Sequence, residues 1–228
     1  MSEARAQILA GIRKSLGRGK LEGEAAAALD RRLASHERIL VPKRSEGDQA
    51  HKVGLFVEMA EAVQCSVDRL DSLADVPEKL ADYLRRENLP AHIRRAGALD
   101  TLDIPWEKAP SLTFEGGRAV TEDAVSLTPA LAGIAETGTM MLHSAPETPT
   151  TLHFVPDTHV VLLKESQIVG AYEDAWDMLR QKFGLKDGAG MPRTVNLITG
   201  PSRTGDVEQI IQLGAHGPRR LHILLVKD

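Results

Sequence analysis

The sequence predicts an α/β protein built on a layered, largely parallel sheet, with a helical arm at its N-terminal side. Three observations predict it. Short Val/Leu/Ile runs such as THVVLL and LHILLV alternate with stretches of helical spacing, the pattern of strands joined through helices. The first 45 residues show helical spacing only. At 228 residues and 42% apolar content, the chain is long enough for one large domain plus an extension.

In chain order, Ile8, Leu9, Ile12 and Leu16 mark a first helix, ended by Gly17. Residues 24–36 are Ala-rich, with Leu29 and Leu33 four apart, and form a second. The stretch GRGKLEGE between them reads as a flexible joint, and VPKRSEGDQAH leads into the main domain. The expected division is an arm over 1–45 and an α/β domain over 46–228. The arm reads either as an extension or as a docking element whose apolar stripe packs on a partner chain.

Val53, Phe56, Val57, Ala60 and Val63 then mark a helix, CSVDRL a strand, and Val76, Leu80, Tyr83 and Leu84 a further helix. HIRR, TMML and THVVLL read as strands and 172–183 as a helix. RTVNLIT is a strand, GDVEQIIQL a helix and LHILLV the last strand.

A net charge of −4 points away from nucleic acid. No run of 18 apolar residues suggests a membrane span, and MSEARAQILAGIRKSLG lacks the apolar centre of a secretion signal. The expected location is the cytoplasm. The one cysteine, Cys65, excludes an intrachain disulfide and a CxxC metal pair. It reads as a small buried apolar residue. Neither a Gly-x-Gly-x-x-Gly nor a Walker loop is present. No cofactor or metal is expected.

Three polar clusters are candidates for chemistry. In AGIAETGTMMLHS, Glu136, Thr137 and Thr139 surround Gly138. Glycine lets the backbone approach a ligand, and a carboxylate there can serve as base or nucleophile. The same residues equally suit a tight turn with locally bonded hydroxyls. In FVPDTHVVLL, Asp157 and His159 alternate ahead of a strand and can share a face, or they are ordinary strand-start residues. The third is GPSRTGD, with Ser202, Arg203, Thr204 and Asp206 between a strand and the expected helix. Exposed N–H groups and a guanidinium fork there suit an anion. Asp206 and Glu208 oppose one, and either is an internal partner for Arg203.

IAETGTMML together with GPSRTGDVEQIIQLGAHGPRRLHILLVKD closely resembles the lactate-utilisation protein family, its C-type members (the LUD domain) in particular. The resemblance runs from about residue 50 to the end. One departure is Gly205, where the family pattern leads one to expect Ala. The resemblance implies a fold like that of glucosamine-6-phosphate deaminase, ribose-5-phosphate isomerase and the CoA transferases (NagB/RpiA/CoA-transferase-like). It implies a part in oxidising L-lactate to pyruvate beside two partner proteins that carry iron–sulfur clusters.

Lactate oxidation releases electrons, and a chain with one cysteine and no dinucleotide fingerprint has no evident acceptor for them. The expected role is therefore a non-redox component that binds a small organic anion or the iron–sulfur partners. The alternative is a stand-alone enzyme for a CoA ester or sugar phosphate, with Glu136 as catalytic carboxylate. The expected binding set is Thr137, Gly138, Thr139, Ser202, Arg203, Thr204, Asp206 and, less centrally, His159. Their expected place is one cleft at the carboxyl ends of neighbouring strands.

Overall fold

The computed structural model describes residues 3–17, 19–38, 40–184, 190–205 and 212–228. It divides into two compact units, Met1–Ile39 and Leu40–Asp228.

The first unit holds α1 (Glu3–Leu16) and α2 (Gly23–Ser35). Neither buries a residue. Ile8, Ile12, Leu16, Leu29 and Leu33, the apolar positions that predict these helices, all remain exposed.

The second unit begins with α3 (Gln49–Ala62), started by Asp48, whose carboxylate accepts the His51 N–H at 2.8 Å. There follow β1 (Ser66–Leu70), α4 (Val76–Arg86), β2 (His92–Arg95), β3 (Thr113–Gly116), β4 (Val125–Pro129), β5 (Ala132–Ile134) and β6 (Thr139–His143). The chain continues through the one-turn α5 (Thr151–Phe154), β7 (Thr158–Lys164), β8 (Ile168–Val169), α6 (Tyr172–Phe183) and β9 (Val195–Ile198). It closes with β10 (Arg203–Thr204), β11 (Gln212–Leu213) and β12 (Arg220–Val226).

The main sheet has six strands in the order β1-β12-β7-β4-β2-β3, and every pairing in it is parallel. A smaller sheet, β8-β5-β6-β9, is mixed. The unbroken apolar runs of β7 and β12 are those of strands covered on both faces. Val160, Leu162, Leu224 and Val226 pack with Leu80, Tyr83 and Leu84 of α4. Val161, Leu163, Ile223 and Leu225 face the other way, onto Phe56 and Ala60 of α3 and Met140 and Leu142 of β6. The far face of the small sheet, Ile134 and Met141, is covered by Ala175 and Leu179 of α6. The layers therefore run α4, main sheet, α3 with the small sheet, then α6. Each fully buried Leu or Val contributes about 1.5–3 kcal/mol.

Several elements depart from the sequence reading. β3, β4, β5 and β8 have no predicted counterpart. β4 ends on Pro129, which reads locally as a breaker, and β5 and β8 are too short to show a period. Gln212 and Leu213, expected in a helix, are extended and pair antiparallel with Thr204 and Arg203. Backbone pairing to the preceding loop overrides the apolar spacing that suggested a helix there. Residues 206–211 of that expected helix, Asp206 among them, lie outside the described residues. Among the described residues, no helix is long and apolar enough to cross a membrane.

A buried ion pair ties β2 to the loop before β4. Arg94 Nε donates to Asp123 Oδ2 at 2.9 Å, with side-chain exposures of 9% and 5%. Asp123 also accepts the Val120 N–H at 2.8 Å. Burial raises the Asp123 carboxyl, but Arg94 and the Val120 N–H outweigh it and hold the carboxyl below its ordinary value. Asp123→Ala leaves a buried guanidinium with only Glu115 and the Gly116 carbonyl. The expected loss is roughly 3 kcal/mol, read as a lower urea midpoint with an unchanged slope. A midpoint equal to that of the parent chain would refute a stabilising role for the pair.

Candidate functional site

The turn that carries Glu136 is set by two strands. Beyond β5, the Ala135 and Glu136 N–H groups donate to Val169 O (2.9 Å) and Gly170 O (3.1 Å), so this edge stays paired with the chain after β8. Gly138 then takes φ +64° and reverses the chain into β6. The turn lies directly on the backbone of α3, where a Cβ on Gly138 would stand 2.3 Å from Ala60 N. Glycine is required here by both the backbone angle and the space.

Around this turn the hydroxyls converge. Thr137 Oγ1 and Thr139 Oγ1 are 2.7 Å apart, and each is 3.0 Å from Tyr172 Oη. Thr139 Oγ1 also lies 2.6 Å from Thr199 Oγ1, just after β9. Glu136 is 7% exposed, and its Oε1 accepts the Tyr172 N–H at 3.4 Å. A carboxylate at the first turn of α6 is favoured by the partial positive charge of a helix start.

The second motif leaves β9 through Thr199 and Gly200. Gly200 has φ +78°, and a Cβ there would meet Val63 O at 2.5 Å. Ser202 then fastens the turn before β12. Its N–H donates to Pro218 O (2.8 Å), its carbonyl accepts the Gly214 N–H (3.0 Å), and its Oγ accepts the His216 N–H (3.2 Å). Arg203 is exposed and extends Nη2 to Val63 O at 3.4 Å. Val63 is the residue that ends α3, and a cation suits the carbonyl end of a helix.

These pieces enclose a cleft of about 370 Å³. Its polar walls are His153, Thr199, Ser202, Arg203 and His216, and Phe154, Leu197, Pro218 and Leu221 supply apolar surface. Of the expected site residues, Ser202 and Arg203 line it. Glu136, Thr137, Gly138, Thr139, Thr204 and His159 do not. The two motifs nonetheless touch through the Thr139–Thr199 contact. Leu221 follows Arg220, the first residue of β12, so the cleft lies at the amino end of the parallel sheet, not at the expected carboxyl end. The cause is local: both motifs pack around the end of α3, which is where the chain enters β1.

His159 sits one layer deeper and is fully buried. Its Nε2 is 2.8 Å from Thr128 Oγ1, and its ring stacks on His153 at 5.6 Å. Asp157 does not orient it: that carboxylate points outward, 3.9 Å from Arg219 Nε. His153 was not singled out from the sequence. Its only signal is its position six residues before His159 in TLHFVPDTH. Its Nδ1 lies 2.9 Å from Asn196 Nδ2, while its Nε2 is buried without a hydrogen-bond partner. Burial, then the neighbouring His143, pushes His153 down to about 4. Burial, then His153, pushes His159 well below the usual histidine value. Both rings are neutral at pH 7.

Cys65 adjoins the cleft but is 6% exposed. Burial raises its thiol to about 11, although a hydrogen bond involving the Gly200 backbone and the charge of Arg203 act in the opposite direction. It is therefore a thiol and not a thiolate at neutral pH, a poor nucleophile and a poor ligand. Among the described residues, no group of three or more His, Cys, Asp or Glu is placed to hold a metal ion.

Comparison with known proteins adds to this geometry. The family model for the LUD domain matches residues 53–226. A Deinococcus radiodurans protein named lactate utilization protein C is 32% identical over 159 residues, covering 68% of this chain and 70% of that protein. An uncharacterized protein of Neisseria meningitidis is 44% identical over 94 residues. That match covers 41% of this chain and 38% of the relative, so the chain spans about two fifths of that relative's length. Among solved structures, a DUF162 family protein from Deinococcus radiodurans superposes with a TM-score of 0.57. It covers 79% of this chain and 99% of its own, at 22% identity, a likeness of fold.

Proposed function

The chain belongs to the LUD domain family, and on that footing we propose that it serves lactate utilisation as a non-redox component. In this reading it works beside iron–sulfur proteins that carry the electrons from L-lactate, and it meets one of them at the cleft beside Arg203. The chemistry of its sulfur supports the first part. A single cysteine cannot furnish the thiolates of a cluster, and this one is buried and protonated.

The observation that carries the second part is the surface of the cleft. Phe154 and Leu197 line it at 41% exposure each, and Leu213, paired to Arg203 across the β10–β11 ladder, is 46% exposed. An aromatic and an arginine set among exposed aliphatics is the composition of a protein contact. The cleft also sits beside the carbonyl end of α3, a poor field for a free anion. An acidic patch on the iron–sulfur partner would complement Arg203 and His216.

The test is reconstitution. The purified chain alone should leave lactate untouched, and adding the iron–sulfur partners should give lactate-dependent electron transfer. Arg203→Glu combined with Phe154→Ser should weaken partner binding by about 2 kcal/mol or more, at least tenfold. Both residues are exposed, so the melting temperature should stay close to that of the parent. Lactate oxidation by the chain alone, or full partner affinity in the double variant, would overturn the reading.

A further inference from the structure

A second cavity lies at the opposite end of the main sheet. After β2 the chain passes to β3, on one side of the sheet, and after β4 its next main-sheet strand is β7, on the other. β2 and β4 are neighbours in the sheet, so their carboxyl ends part and leave a crevice. Open α/β sheets hold ligands at such a switch of direction, because the diverging connections keep the strand ends uncovered. Here the crevice is a cavity of about 450 Å³. Ala98 and Leu102 enter it from beyond β2, Pro129 from the end of β4, and Leu162 and Lys164 from the end of β7.

Its walls divide by chemistry. Leu102, Pro129, Leu162 and Phe183 make an apolar side. Lys164, at the end of β7, and Lys182, in the last turn of α6, bring ammonium groups to the rim. Among the described residues, Lys164 Nζ makes a long contact to Asp228 Oδ2, at 3.8 Å, and that carboxylate is already held by Ser166. Lys182 Nζ lies 5.9 Å from the Phe183 ring centroid. Among the described residues of the lining, Glu147 is the acidic side chain, against the two lysines.

Between the two sides stands His143. Its ring meets the edge of Phe183 at 5.0 Å, and its Nδ1 is buried without a hydrogen-bond partner among the described residues. A buried imidazole nitrogen with no partner is costly unless something fills the position. Burial, then the charge of Lys182, holds His143 below the usual histidine value, against a weak pull from the Ser144 backbone, too poorly aligned to satisfy the nitrogen, and from the charge of Glu147. At neutral pH the ring is uncharged and can donate from Nδ1.

We propose that this cavity is a binding site for an organic carboxylate with an apolar body. The carboxylate takes the ammonium groups of Lys164 and Lys182 and a hydrogen bond from His143, and the apolar part lies against Leu162, Pro129 and Phe183. The two lysines stand on separate elements with different neighbours, an arrangement that reads a charged head and leaves the tail to shape and burial. The site stands on its own geometry, apart from the partner contact at Arg203.

The experiment uses the purified chain without partners, so its outcome is independent of any docking at Arg203. Binding is followed by calorimetry with L-lactate, hexanoate, hexanamide and inorganic phosphate. Hexanoate should bind more tightly than lactate, and hexanamide, which lacks the charge, should bind at least roughly tenfold more weakly than hexanoate. Lys164→Gln combined with Lys182→Gln should weaken hexanoate roughly tenfold or more, and Lys79→Gln, on an exposed face of α4, should not. As a second reading that does not depend on a variant folding, hexanoate should shift the ring nitrogen resonances of His143 in the parent chain. Failure of both carboxylates to bind, equal binding of hexanamide, binding of phosphate alone, or an unaltered double variant would each overturn the assignment.

Discussion

Acidification from pH 7 to pH 5 is expected to lower the stability of this protein steadily. His153, His159 and His222 are 0–1% exposed. Burial is the leading cause in each of the three. It pushes His153 and His222 down to about 4 and His159 well below the usual value. The surroundings of each explain why burial wins. His153 faces Asn196 and His143, and His159 faces Thr128 and His153. His222 stacks on Tyr83 at 3.7 Å, with Ser66 at 2.8 Å, and Asp68, 3.6 Å away, opposes the shift only in part.

The sign follows from linkage. Below about pH 6.5 the unfolded chain takes up protons that the folded chain refuses. Stability is therefore fully present above that pH and falls as pH drops toward about 4, where His153 and His222 charge in the folded state. Each histidine contributes a slope of about 1.4 kcal/mol per pH unit, so three approach about 4 kcal/mol per unit near pH 5, against a typical total of 5–15 kcal/mol. Urea midpoints at a series of pH values measure this. His153→Gln should lower the slope by about one proton's share. A midpoint that holds constant from pH 7 to pH 5 would show that these rings do not resist protonation.

Gly138→Ala is expected to be the most damaging single-methyl change in the second unit. A Cβ at this position would lie 2.3 Å from Ala60 N and 2.6 Å from Ala60 Cα and Met59 C. These are backbone atoms of α3, which cannot rotate away. The φ of +64° adds about 1 kcal/mol for any residue other than glycine. Moving the turn off the helix would also disturb the Thr137–Thr139–Tyr172–Thr199 hydroxyl cluster and loosen Met140 and Ala135 from the core they share with Phe56. Overpacking costs about 1–3 kcal/mol, so the sum is about 2–4 kcal/mol, or roughly 10 °C in melting temperature at this size.

Gly205→Ala is the control. No described residue lies within 4 Å of its Cβ position and its φ is not in the left-handed region, so the change should stay within about 0.5 kcal/mol. Equal melting temperatures for the two variants would show that the turn does not rest on α3.

Both results bear on what could be read without the structure. The glycine in AETGT was visible as a tight turn, but its contact with Ala60 was not, since those residues lie far apart in the chain and share no pattern. Likewise the long helices and the β7 and β12 runs were legible, because their apolar spacing is a local property of consecutive residues. β4 was not, because Pro129 within it reads as a breaker, and neither were β5 and β8, because a strand of two or three residues has no period to show and acquires its conformation from the strands beside it.

The candidate sites divide in the same way. Composition and motif alone were enough for an α/β chain, for a single cysteine that cannot hold a cluster, for membership of a lactate-utilisation family and for Ser202 and Arg203 as neighbours in one loop. Tertiary structure alone placed that loop at the amino end of the sheet, set His153 against His159, and brought Lys164, Lys182 and His143 around one cavity. Local sequence fixes the direction a residue faces within its own strand or helix. Strand order and the packing of layers decide which distant residues meet, and those depend on non-local burial that no short stretch of the chain records.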